Sequence, residues 1–144
     1  MTVRVERVVE VPAPREQVWE FISDHGKRAG AISVVKEFDA HDDGHATWYV
    51  ALPIPFVDRR VSFETRERAR DPPRYVEFTG SSKVAHIVGE HELEEITGGT
   101  RLTNRFVVDG KLPGVERFFS HNLGDELNNL EAAIRADLGV TGGV

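Results

Sequence analysis

The chain has 144 residues, no cysteine and a formal net charge of −6. That length suits a single domain, residues 1–144, with a core large enough to need no staples. The missing thiols exclude a disulfide framework and a thiolate metal site, and the acidic balance argues against nucleic acid as a partner.

The first residues, MTVRVERVVEV, lack the basic-then-apolar layout of a signal peptide. No apolar run approaches the ~20 residues of a membrane span. With the absence of cysteine, these features lead us to expect a cytoplasmic protein. Val3, Val5, Val9 and Val11 fall on one side of an alternating strand, with Arg7 breaking the apolar row and Val8 the polar one. Pro12 and Pro14 end it, and Pro14 suits the first position of a helix. Val18, Trp19, Phe21 and Ile22 then form the buried side of a short helix, and residues 25–31 read as a second one ending near Gly30.

Strands follow. Ser33–Ala40 leads into the turn His41-Asp42-Asp43-Gly44, and His45–Leu52 places Ala46, Trp48, Val50 and Leu52 on one face. Pro53 and Pro55 cannot continue a central strand. Val57–Arg68 alternates, Asp71-Pro72-Pro73 turns, and Tyr75–Thr79 is short. Lys83–Ile96 is long enough to predict a bulge or bend. Thr97-Gly98-Gly99 is a hairpin turn before the last strand, Thr100–Asp109.

Pro113–Leu138 is the one long helical pattern. Val115, Phe119, Leu123, Leu127, Leu130, Ile134 and Leu138 recur in steps of three and four and make a single stripe. Such a stripe needs a partner surface, because propensity alone holds a helix weakly. The order is β-α-α-β6-α. Short turns between consecutive strands predict an antiparallel meander. The expected fold is therefore α+β, a curved sheet of about seven strands wrapped around the C-terminal helix.

Three stretches carry a family resemblance. Val11-Pro12-Ala13-Pro14-Arg15-Glu16-Gln17-Val18-Trp19-Glu20-Phe21-Ile22-Ser23-Asp24 resembles the strand-to-helix entry of the START, polyketide-cyclase and birch-pollen-allergen (SRPBCC) superfamily. Gly99-Thr100-Arg101-Leu102 is similar to that superfamily's last hairpin, and Leu127-Asn128-Asn129-Leu130 to its C-terminal helix. The resemblance implies the helix-grip fold over nearly the whole chain, with a cavity between sheet and helix. Many relatives carry Trp or Pro after the second short helix, where this chain has Gly30-Ala31-Ile32-Ser33. The superfamily holds lipid and hydrophobic-ligand carriers, aromatases and cyclases, ubiquinone-binding proteins and a carbon monoxide dehydrogenase accessory subunit. The resemblance selects none of these branches.

The residues themselves point to a pocket. Leu127, Leu130, Ile134 and Leu138 predict a dry, close-packed C-terminal half of the long helix. The N-terminal half mixes Phe118, Phe119 and Leu123 with Asn122 and Gly124, and a helical Gly marks close packing or space. Alternation from Leu93 and Leu102 turns Ala85, Gly89, His91 and Asn104 inward. Trp48, Gly89, His91, Asn104, Phe119 and Asn122 are the expected lining, with Phe56 and Arg59 as further ligand-binding candidates. His91 reads either as an acid or base or as a satisfied core residue, and a bulge would turn His86 inward instead. Arg59 reads as a partner for a ligand carboxylate or carbonyl, or as an edge residue with its head in water. Ile54-Pro55-Phe56 reads as a gate at the cavity mouth, as a contact with membrane or partner, or as core.

No metal or cofactor is expected: Glu90-His91-Glu92 alternates across a sheet, and no His-Glu-x-x-His, Walker loop or dinucleotide fingerprint occurs. The lack of a Gly-x-Ser-x-Gly elbow removes the usual esterase signature. No catalytic residue is assigned. The leading expectation is binding or transport of a small hydrophobic or amphipathic ligand. A cyclase, aromatase or hydratase using the same cavity is the alternative, and an accessory role through a protein partner is the third.

Overall fold

The computed structural model describes residues 2–31, 35–42, 45–51 and 60–140. Among them, seven strands form one antiparallel sheet: β1 (Thr2–Val11), β2 (Val35–Asp42), β3 (His45–Val50), β4 (Val61–Asp71), β5 (Tyr75–Ser81), β6 (Ala85–Ile96) and β7 (Gly99–Gly110). Their order across the sheet is β1-β7-β6-β5-β4-β3-β2. The first strand thus lies beside the last, and β2 forms the opposite edge. Two short helices, α1 (Arg15–Ile22) and α2 (His25–Ala31), carry the chain between those edges. The long helix α3 (Val115–Leu138) packs against β1, β7, α1 and α2. This is the helix-grip arrangement.

The inner face follows from alternation. On β7, Thr100, Leu102, Asn104, Phe106 and Val108 are buried, and on β6, Ala85, Gly89, His91 and Leu93. The outer face carries cross-strand ion pairs instead, with Arg105 bonding Glu6 and Glu92, and Arg101 bonding Glu10 and Glu94. The pairing of β6 with β7 runs without a shift from Ala85↔Gly110 to Ile96↔Gly99, so of the bulge or bend expected in this strand the bulge is absent. The irregularities sit elsewhere, between Val35 and Glu37 and between Ala40 and Asp42 on β2, and between Glu67 and Ala69 on β4. An extra residue bends a strand and raises its twist. The register turns His91 inward and leaves His86 outside, its Nδ1 2.9 Å from Ser81 Oγ.

The predicted stripe of α3 is the core seam: Val115, Leu127, Leu130 and Ile134 are at most 2% exposed. The helix ends where Gly139 takes a left-handed φ of 69°. Val140 N–H then donates to Arg135 O at 2.9 Å and Gly139 N–H to Ala136 O at 3.3 Å, which satisfies two terminal carbonyls. At the hairpin after β6, Gly99 meets the Val11 carbonyl so closely that a Cβ would collide with it. The Thr100 hydroxyl donates to Ala13 O at 2.8 Å and ties this hairpin to the start of α1.

Candidate functional site

Between α3 and the concave face of the sheet lies a cavity of about 90 Å³. Its sheet wall includes Trp48, Phe63, Phe78, Gly80, His91 and Phe106. Its helix wall includes Phe118, Phe119, Asn122, Leu123, Glu126 and Leu130, and Arg28 reaches it from α2. The surface it presents is apolar throughout. Rings dominate because the inner positions of the adjacent strands β5, β6 and β7 bring Phe78, His91 and Phe106 together, and Trp48 joins them from β3 across β4. Trp48 lies 6.3 Å from Phe78, and His91 lies 5.8 Å from both Phe78 and Phe106.

His91 is 1% exposed, and its Nδ1 lies 2.6 Å from Asn104 Oδ1. A carbonyl oxygen only accepts, so Nδ1 carries the proton and Nε2 offers a bare lone pair. Burial, and then the nearby charge of Arg28, hold the imidazole neutral down to about 3. His91 Nε2, Asn104 Nδ2 and Trp48 Nε1 are buried with no hydrogen-bond partner among the described residues. Native interiors leave few such groups, and a cluster of them calls for a physical account.

Arg28 is 2% exposed. Its Nη1 donates to Ile22 O at 3.1 Å, and its guanidinium lies 4.9 Å from the centre of the Phe78 ring. Burial lowers its pKa to about 10, which still leaves it charged at neutral pH. Glu126 is buried on the cavity side of α3, where Oε1 accepts from Asn129 Nδ2 at 3.2 Å.

Of the residues named from sequence, Trp48, His91, Phe119 and Asn122 line the cavity. Asn122 Nδ2 also donates to Phe118 O at 2.7 Å. Asn104 stands behind His91 and touches the site only through it. Phe56, Arg59 and the Ile54-Pro55-Phe56 stretch lie outside the described residues. Two expectations are corrected. Gly89 does not open space: a Cβ there would come within 2.5 Å of Phe78 Cζ and 2.9 Å of Phe106 Cε1, so two rings already fill that position. Gly80 does open it, for a Cβ there would find its nearest neighbour, Phe63 Cδ2, at 3.7 Å. Likewise Gly124 faces away from the cavity, against the guanidinium of Arg7, whose place in the apolar row of β1 is thereby explained. The cavity also reaches Leu130, beyond the half of α3 expected to frame it.

Sequence reasoning missed Arg28, Gly80 and Glu126. Glu126 had a legible signal, since it stands seven residues after Phe119 and four after Asn122, on the same helical face. Arg28 had none, because a seven-residue helix defines no face by itself.

The family described as polyketide cyclase / dehydrase and lipid transport matches residues 2–135. Similar solved structures include a conserved protein from Geobacillus kaustophilus, with TM-score 0.74, 16% identity and 95% of each chain covered. The Zhui aromatase/cyclase from a Streptomyces species has TM-score 0.71 and 17% identity over 100% of both chains. A START superfamily protein from Mycobacterium smegmatis has TM-score 0.72 and 16% identity over 94% of this chain and 97% of that one. At these identities the likeness shows the fold. No curated protein matches the chain by sequence.

Proposed function

This chain belongs to the polyketide cyclase/dehydrase and lipid-transport family, and from that premise we propose that it binds a small hydrophobic or amphipathic ligand between α3 and the sheet. The observation that carries this reading is the apolar cavity itself, lined by the rings of Trp48, Phe63, Phe78 and Phe106 on the sheet and by Phe118 and Phe119 on α3. An apolar wall with a few convergent polar groups is the usual form of a small-molecule site. The free volume is well below the ~300–1,000 Å³ of common ligand sites. The reading therefore has a ring or slender apolar tail enter and pack against the rings of Trp48, Phe78 and Phe106.

The enzymatic alternative is weaker here. A general base works best with a pKa near the operating pH, and His91, held at about 3, is far from it.

The test uses Gly80→Val, which fills the cavity at a strand position that tolerates a β-branched side chain. Native mass spectrometry first looks for a retained ligand. Titration with 1-anilinonaphthalene-8-sulfonate then compares wild type with the variant, beside a melting curve. The expected result is a folded variant with at least tenfold weaker probe binding. Unchanged affinity in a folded Gly80→Val protein refutes the assignment of this cavity.

A further inference from the structure

On the outer face of the sheet, the side away from the cavity, three strands bring together a set of side chains. His41 is on β2, His45 on β3 and Glu64 on β4. One ligand atom from each lies within 4.8 Å of the other two. His45 Nε2 is 3.1 Å from Glu64 Oε2. The Thr47 hydroxyl stands between the remaining pair, 2.6 Å from His41 Nε2 and donating to Glu64 at 3.0 Å.

The backbone builds this juxtaposition. Thr47 is in register with Glu64, and His45, two residues earlier on the same face, lies diagonal to it. Ala40 pairs with Ala46 and Asp42 with His45, so His41 is the extra residue of a bulge. A bulge re-aims a side chain, and here His41 comes to rest over Thr47, which is 5% exposed although it belongs to the outer face.

We propose that His41, His45 and Glu64 form a zinc-binding site, with a fourth position left to water. Two imidazoles and a carboxylate with one open position are a recognised zinc set. They suit borderline divalent metals and not calcium or magnesium, which take oxygen ligands. Zn–N and Zn–O bonds of about 2.0–2.2 Å put neighbouring ligand atoms roughly 3.4 Å apart in a tetrahedral site. No pair here has to close by more than about 1.4 Å, which a rotation of the exposed His41 ring supplies. The carboxylate is already held in place, with the Thr47 hydroxyl donating to it at 3.0 Å and His45 Nε2 at 3.1 Å. Thr47 is the positioning residue, since its hydroxyl orients Glu64. The sequence reading expected no metal site, because its only candidate was Glu90-His91-Glu92, whose residues alternate across the sheet.

The experiment is calorimetric titration of the full chain, stripped with chelator, with Zn²⁺. The same titration with Co²⁺ follows the visible absorption of a tetrahedral site. We expect one Zn²⁺ per chain. His41→Ala, His45→Ala and Glu64→Gln should each weaken binding at least tenfold, and His86→Ala and His121→Ala should bind as wild type does. Far-UV circular dichroism confirms folding. Should His45→Ala misfold, the exposed His41 carries the test alone. Failure of the wild type to take up one equivalent, or wild-type affinity in folded His41→Ala, overturns the site.

Discussion

The buried pair His91–Asn104 makes a prediction whose sign depends on counting polar atoms. The pair shares one hydrogen bond of 2.6 Å and leaves His91 Nε2 and Asn104 Nδ2 without partners. A net hydrogen bond contributes about 1 kcal/mol, and each buried unsatisfied group costs about 1–3 kcal/mol. Asn104→Leu keeps the heavy-atom count, removes one orphan and creates another on His91, so it should cost only the lost bond, about 1 kcal/mol. His91→Phe adds one ring atom beside the cavity and leaves both polar atoms of Asn104 bare, again at about 1 kcal/mol. The double variant removes both orphans and the bond together. It should be more stable than wild type by roughly 1–5 kcal/mol, where additivity would make it about 2 kcal/mol less stable. Urea unfolding of all four proteins, with slopes held equal, measures the cycle. An additive cycle would refute the reasoning.

Three further outcomes follow from packing and protonation. Leu127, 2% exposed on α3, should cost about 2–5 kcal/mol when changed to Ala; a loss below ~1 kcal/mol in urea unfolding would remove it from the seam. Gly89→Ala should cost about 1–3 kcal/mol by pressing on the Phe78 and Phe106 rings, whereas Gly80→Ala should not lower the urea midpoint; equal midpoints for the two variants would contradict the difference in space. His91 takes a proton near 6.5 when unfolded but only near about 3 when folded. Below pH 6.5 the unfolded chain therefore binds a proton that the native state refuses. Stability should fall by ~1.4 kcal/mol per pH unit from that group as pH drops through this window. His91→Phe should remove that component from the urea midpoint measured against pH, and an identical slope in the variant would exclude His91 as its source.

Local pattern determined the elements and their order. The stripe from Val115 to Ile134 can bury itself in only one way, and the alternation of β6 and β7 turns His91 and Asn104 inward once Leu93 and Leu102 are placed. Turn chemistry at Gly98-Gly99 reinforced the hairpin. These features depend on neighbours within a few residues, and such neighbours are visible in a sequence. Tertiary structure decided the rest, because it depends on register and ring direction across strands. Gly80 and Gly89 look alike in sequence, yet the rings of Phe78 and Phe106 lie over Gly89 and leave Gly80 open. Arg28 reaches the cavity only through the placement of α2. His41, His45 and Glu64 meet only because a bulge on β2 adds one residue and the registers of β2, β3 and β4 align. A one-residue slip in any of those ladders would send a ligand to the other face of the sheet, and nothing in the local spacing of the two histidines and the glutamate sets those registers.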